Sequence, residues 1–282
     1  MTYRRVRDGI IWGLSYFALA CIAVPAIDII AGVIVRSAPS WSWQLLTTPT
    51  QGVAGGLENA LLGTLVLTAG TLLVAGTVGV LAGIYLAEYA GPRQSPILRF
   101  FSEVLAGVPS IVIGYVGYVA LVITFHWGFS LLAGILVLSV MVTPYIMKTT
   151  EVAFRQIPST YREASIALGL PRLTGLRRVL LPPAAAGILT GLVVALAIAM
   201  GETAPLIYTA GWTNALPPHV LTHQPVGYLT YVVWTYTNQP FPQAHALANS
   251  AALSLVIFLL LLIALSRLIA WQVGTYARRL QA

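Results

Sequence analysis

The sequence predicts an all-α integral membrane protein with six transmembrane helices, on the basis of its composition, its apolar runs and its charge distribution. Of the 282 residues, 58% are apolar and only 8% are charged, and the mean hydropathy is +0.84. An ordinary soluble domain carries about 25% charged residues, and a soluble fold of this length cannot hide so much apolar surface. Disorder is excluded because it requires low hydrophobicity. We expect one membrane domain over residues 1–282 that is surrounded by lipid.

Six apolar runs are long enough to cross about 30 Å of hydrocarbon. Each run is expected to be helical, because lipid offers no partners to the backbone of an open strand. A barrel is disfavoured because the sequence lacks period-two alternation. Small residues four apart, as in Ala75-xxx-Gly79, Gly79-xxx-Gly83 and Gly187-xxx-Gly191, predict close helix contacts. The predicted spans are 10–35, 58–89, 98–125, 129–148, 183–208 and 248–271.

The basic residues are distributed on one side of the predicted membrane. With a cytoplasmic N-terminus, fourteen of the fifteen Lys and Arg residues fall in inner segments or at inner span ends, and only Arg36 lies outside. This bias is the positive-inside pattern, and it predicts that both termini are cytoplasmic. Topology therefore accounts for the net charge of +7, and no nucleic-acid partner is needed.

Catalytic and metal-binding motifs are missing from the sequence. Lys148 is the only lysine and follows Met147, so no phosphate-binding GxxxxGK[ST] loop is possible. His219 and His223 are four residues apart, but they lie among prolines and lack a third ligand. We therefore predict no catalytic residue, no metal site and no cofactor bound by this chain. ATP and Mg²⁺, if they drive the protein, would be bound by another chain.

Two segments within spans interrupt the apolar pattern. Glu202 lies in the outer half of the fifth span between Gly201 and Thr203, and a carboxyl group there indicates a water-filled path or a partner. The alternative is a protonated Glu202 that bonds a neighbouring helix. Early in the third span, Pro109 and Ser110 predict either a helix break that exposes amide donors or a kink that serves only packing.

Two loops differ sharply in composition. The outer segment 210–247 has no charged residue and carries five Trp or Tyr residues; it is either an interfacial aromatic belt or a docking surface for an extracytoplasmic partner. The inner loop 148–182 predicts a short helix over residues 161–168, capped by Ser159 and ended by Gly169. That helix would lie parallel to the membrane, and its alternative role is an interfacial anchor.

The inner loop also matches a known pattern. Glu163-Ala164-Ser165, Gly169, Val179 and Leu181-Pro182 follow the spacing EAA-xxx-G-x9-I-x-LP, with Ser165 and Val179 as departures. The chain therefore resembles type I ABC importer permeases. Segments 107–112 and 201–206 resemble signatures of the phosphate-importing PstA family, and the resemblance covers residues 88–211.

The resemblance implies a type I importer permease of a prokaryotic plasma membrane that moves inorganic phosphate. Its partners would be a second homologous permease (PstC type), an ATPase dimer (PstB type) and an extracytoplasmic phosphate-binding protein (PstS type). A coupling helix would dock on the ATPase through Tyr161, Arg162, Glu163, Ala164, Ala167 and Gly169. The substrate path would include Pro109, Ser110, Gly201, Glu202 and Thr203.

One position departs from the family. An arginine often stands three residues before the Gly-Glu of the fifth span, and here that residue is Ile198. An arginine would bind an oxyanion with two parallel hydrogen bonds. A cation on the path would then come from the partner permease, or amides and hydroxyls would hold the anion. Import of another oxyanion or solute and a stand-alone channel are the alternative hypotheses, and a membrane enzyme is a weaker one.

Overall fold

The structure is a computed structural model that describes the backbone of residues 2–279 and the side-chain surroundings of residue 8 and residues 10–269. The described residues form thirteen α-helices and one two-stranded antiparallel sheet, β1 (Thr50–Gln51) and β2 (Ala54–Gly55). Short π-helical stretches at Leu72–Gly76 and Leu176–Leu180 join consecutive helices, a third at Tyr118–Thr124 extends α6, and a 3₁₀ turn at Ala38–Ser40 follows the first helix. The helices are α1 (Thr2–Ser37), α2 (Trp43–Thr47), α3 (Glu58–Thr71), α4 (Thr77–Glu88), α5 (Gln94–Gly107), α6 (Ser110–Gly117), α7 (Leu131–Arg155), α8 (Ser159–Ala167), α9 (Arg172–Gly175), α10 (Leu181–Gly201), α11 (Ala204–Thr209), α12 (Leu229–Thr237) and α13 (Pro242–Arg279).

Five continuous helical segments are long and apolar enough to cross a membrane, and they confirm five of the six predicted spans. The remaining predicted span, residues 98–125, is a bent pair of helices. The last segment begins at Pro242 rather than at residue 248. The five segments are Ile10–Ser40, Glu58–Glu88, Leu131–Arg155, Arg172–Gly201 and Pro242–Ile269. The cytoplasmic location of both termini stays a prediction from charge, and the side of the protein predicted to carry them is named the cytoplasmic side.

The third predicted span, residues 98–125, is broken in the middle instead of forming one straight helix. Helices α5 and α6 meet at an angle of 95° at Val108 and Pro109. Proline has no N–H to donate and forces the residue before it out of the helical region. Val108 is accordingly extended, with φ −72° and ψ 129°. The predicted alternative of a helix break at this segment is thereby confirmed.

Helix α7 is the centre of the bundle, and α4 and α10 pack on it through small residues. A Cβ atom on Gly79 would lie 2.7 Å from Cβ of Ile146, and one on Gly83 would lie 2.5 Å from Cβ of Thr150. On the other side, a Cβ on Gly187 would lie 2.6 Å from Cβ of Ala153. The close helix contacts predicted from these small residues are confirmed.

The outer segment 210–247 folds onto the bundle instead of lying flat on the membrane. The rings of Trp212 and Tyr231 stack with centroids 4.5 Å apart, and Tyr228 and Tyr236 are buried. The Tyr236 hydroxyl donates to the Gly52 carbonyl oxygen at 2.6 Å. The interpretation of this segment as an aromatic belt is therefore wrong for the buried tyrosines, which belong to the core.

Candidate functional site

The first half of the candidate site is the break between α5 and α6. Helix α5 ends at Gly107, and Ser110 is the first residue of α6. The Pro109 carbonyl oxygen accepts hydrogen bonds from the amides of Val112 at 2.9 Å and Ile113 at 3.3 Å, which starts the new helix. The hydroxyl of Ser110 therefore lies where the chain changes direction.

The second half is a break in the fifth span. Helix α10 ends at Gly201, Glu202 is extended with ψ 134°, and α11 begins one residue after Thr203. The long helix of the fifth span therefore ends at Gly201 and does not continue to residue 208, where the predicted span ended. Leaving the helix removes the intrahelical partner of the Glu202 carbonyl oxygen, which instead accepts a hydrogen bond from Thr230 Oγ1 at 2.7 Å.

The two breaks lie side by side because α6 packs closely on α11. A Cβ atom on Gly114 would lie 2.5 Å from Cα of Pro205, so only a glycine allows this approach. The Ser110 hydroxyl lies near enough to the Glu202 carboxyl group to interact with it. The structure thus brings together the predicted path residues of the third and fifth spans, and the Cα of Gly201 faces open space.

The chemistry available at this site is polar but not cationic. A hydroxyl, a carboxyl group and the first amides of a helix are present: the amides and the hydroxyl can donate to an unprotonated oxygen atom, and a carboxylate can accept from a protonated one. No Lys or Arg occurs in residues 100–147 or 179–266, so the chain brings no basic side chain within several residues of either break. Ile198 packs against the hydrophobic core instead of facing an anion as an arginine would. Within residue 8 and residues 10–269, no three His, Cys, Asp or Glu side chains are grouped to hold a metal.

The predicted coupling helix exists as α8. It ends where Gly169 adopts φ +64°, a conformation that favours glycine, as the sequence predicted. The prediction that Ser159 caps the helix is wrong, because Pro158 occupies the capping position and Ser159 is already helical. The helix has one exposed face: Glu163, Ala164 and Ala167 are exposed.

The other two predicted coupling residues of α8 face the body of the protein. Tyr161 packs against the core that contains Phe154 at the end of α7. Arg162 donates to the carboxylate of Glu88 at the end of α4 and to the backbone carbonyl oxygens of Phe154 and Ile157. Hydrogen bonding to Glu88 raises the pKa of Arg162 above its ordinary value. These two residues hold the helix in place, whereas its other face remains open for a partner.

Sequence reasoning missed one buried ionic cluster on the cytoplasmic side. Glu151 of α7 is buried and accepts hydrogen bonds from Arg99 of α5, at 2.9 and 2.6 Å, and from Arg155 at 2.9 Å. The cluster fixes α5 against α7. The spacing of Glu151 and Arg155, four residues apart on a helix, was the available signal for part of it.

Comparison with known proteins agrees with this architecture. Residues 79–275 match the family described as "Binding-protein-dependent transport system inner membrane component". The chain is 54% identical over 268 residues to the Mycobacterium bovis phosphate transport system permease protein PstA 2, covering 95% of this chain and 89% of the relative. It is 36% identical over 232 residues to the Xylella fastidiosa phosphate transport system permease protein PstA, covering 81% and 80%.

A solved structure supports the fold alone. A crystal structure of a bacterial ABC transporter involved in importing the acidic polysaccharide alginate superposes with a TM-score of 0.67 at 12% identity, covering 94% of this chain and 96% of that one. The fold, the family match and the two relatives agree. The chain therefore belongs to the family of binding-protein-dependent inner-membrane transport components, and within it to the PstA permeases.

Proposed function

We propose that this chain is the transmembrane subunit of an ATP-driven importer that moves inorganic phosphate across the prokaryotic plasma membrane. The observation that carries the proposal is the 54% identity to a phosphate transport system permease over 95% of the chain. The exposed face of α8 supports coupling to a separate ATPase, since Glu163 and Ala164 are free to contact another subunit. In this proposal the chain has no catalytic activity and binds no cofactor, and ATP and Mg²⁺ belong to the ATPase.

The partners follow from the same proposal. A second homologous permease of the PstC type would complete the path, an ATPase dimer of the PstB type would bind α8, and a PstS-type protein would deliver phosphate from outside. Closure of the ATPase dimer on ATP would move α8 and tilt the spans. This would change access to the two helix breaks, where Pro109, Ser110, Gly201, Glu202 and Thr203 lie.

Phosphate would be held at the breaks through hydrogen bonds rather than through a cation of this chain. Glu202 as a carboxylate accepts a hydrogen bond from a protonated phosphate oxygen, and the Ser110 hydroxyl donates to an unprotonated one. The positive charge that an anion requires would come from the second permease, since the breaks in this chain carry none.

The test reconstitutes the chain in liposomes with its second permease and its ATPase. We expect phosphate-loaded binding protein to stimulate both ATP hydrolysis and phosphate entry, with sulfate and molybdate failing to compete. Stimulation by another solute would overturn the substrate and keep the importer. Solute flux without ATP would identify a channel and overturn the importer.

Replacing Glu202 by Gln tests the carboxylate. A hydrogen bond to a charged group contributes about 1.5–3 kcal/mol, so we expect phosphate uptake to fall about 12- to 150-fold while ATPase association is retained. Glu58→Gln at the start of α3 is the matched control and should transport normally. Unchanged uptake by the Glu202 variant would remove its charge from the mechanism.

A further inference from the structure

The strongest unassigned feature is the ion pair that joins the end of α4 to α8. Arg162 Nε lies 3.2 and 3.1 Å from the two carboxylate oxygens of Glu88, and Nη2 lies 2.5 Å from Oε1. The same guanidinium donates from Nη1 to the Ile157 carbonyl oxygen at 3.0 Å and from Nη2 to that of Phe154 at 2.8 Å. One side chain therefore connects α4, the end of α7 and the segment that precedes α8.

This pair differs from an ordinary surface ion pair. The side chains of Glu88 and Arg162 are 13% and 30% exposed. Those of Glu103 and Lys148, which form a single 3.3 Å contact on the same side of the protein, are 62% and 66% exposed. Planar, multiply bonded guanidinium groups hold their partners in a defined orientation, whereas exposed pairs contribute little. The pair of Glu88 and Arg162 therefore holds the end of α4 and α8 in a defined relative orientation.

Helix α8 needs such a connection. None of its residues is buried, and its exposed face includes Glu163 and Ile166. It is attached to the spans by the Arg162 contacts, by the packing of Tyr161 on the core beside Phe154, and by Ser165, whose side chain lies against Gly175 near the start of the fifth span. A push on α8 would therefore reach α4 chiefly through Glu88, and α4 in turn contacts α7 closely at Gly79 and Gly83.

We propose that Glu88 is a positioning residue for transport: acting through Arg162, it makes α4 follow the movement that the ATPase imposes on α8. The inference rests on the proposed coupling of α8 to an ATPase. It assigns Arg162 to the transmission of movement within this chain instead of to direct contact with the ATPase.

The first experiment measures coupling in the reconstituted complex that carries Glu88→Gln. We expect the complex to assemble, and we expect stimulation of ATP hydrolysis by phosphate-loaded binding protein, per assembled complex, to fall about tenfold, together with phosphate moved per ATP. Glu103→Gln removes the carboxylate of the exposed pair and should leave both quantities unchanged. Equal stimulation in the two variants would overturn the inference. If Glu88→Gln prevents assembly, Arg162→Lys is used instead, because lysine keeps the positive charge but cannot form the several hydrogen bonds of the guanidinium group. Full stimulation in that variant would also overturn the inference.

A second experiment is independent of the transported solute. Spin labels on Leu81→Cys of α4 and Leu168→Cys beside α8, both exposed positions, report the distance between the two elements. The single cysteine, Cys21, is first replaced by serine. A rigid connection predicts the same distance with and without ATP in the unmodified complex, and an ATP-dependent change in the Glu88→Gln complex. Identical behaviour of both complexes would overturn the inference even if the substrate is not phosphate.

Discussion

The hydrogen bond from Thr230 to the Glu202 carbonyl oxygen connects the outer segment to the interrupted fifth span. Thr230 is the second residue of α12 and is buried, and its Oγ1 lies 2.7 Å from the acceptor. Thr230→Val keeps the shape of the side chain and removes the donor. A fully buried acceptor left without its partner costs about 1–3 kcal/mol, and for this part-buried bond the lower end, about 1 kcal/mol or a fivefold change in an equilibrium constant, applies.

We expect Thr230→Val to disfavour the broken arrangement of the fifth span by that amount. Phosphate uptake in liposomes should fall about fivefold, and the apparent melting temperature of the complex in detergent should decrease. Thr237→Val is the matched control in the same helix, because the Thr237 hydroxyl donates only to the Val233 carbonyl oxygen one turn earlier and is exposed. Uptake that is equal in the two variants would refute the argument that this bond maintains the break.

Three further substitutions test the packing and the cytoplasmic side. Gly83→Val should strongly reduce the yield of folded chain in membranes, because an added Cβ would lie 2.6 Å from a backbone oxygen of α7. Gly13→Val is the control and should express normally, because open space surrounds Gly13. Equal yields of the two variants would contradict the close packing of α4 on α7. Glu163→Lys should leave membrane insertion intact, since the residue is exposed, but reduce co-purification of the ATPase at least tenfold; unchanged co-purification would argue against the coupling face. Glu151→Gln should lower the stability of the complex by about 1–3 kcal/mol, because Arg99 and Arg155 both lose their buried carboxylate partner. An unaltered thermal unfolding curve would show that the cluster does not stabilise the complex.

The candidate site was partly predictable from the sequence. Pro109 and the Gly201-Glu202 pair indicated helix interruptions because proline and glycine act on the backbone locally, whatever surrounds them. That the two breaks lie on one path was implied only by the family resemblance, and the local residue pattern did not indicate that they adjoin. That arrangement depends on the contact between Gly114 and Pro205, which are distant in the chain and carry no joint pattern.

The outer segment 210–247 is a second feature whose position the sequence alone could not predict. Its five Trp and Tyr residues and its lack of charge fit both a membrane interface and a buried core, because each environment accepts an aromatic ring with a polar end. Tyr228 proves to be 1% exposed, since α12 turns back against the bundle. Its burial raises its pKa, so the hydroxyl remains protonated.

By itself, the sequence determined the membrane class, the approximate spans, the short helix α8 of the inner loop and its end at Gly169. These are properties of contiguous residues: hydrophobic length, side-chain charge and backbone conformational preference. Only the tertiary structure decided that Ser110 meets Glu202, that Thr230 supports the break and that Glu88 holds Arg162. Such pairs form because helices pack where their small residues allow close approach, and that choice is made among segments far apart in the chain.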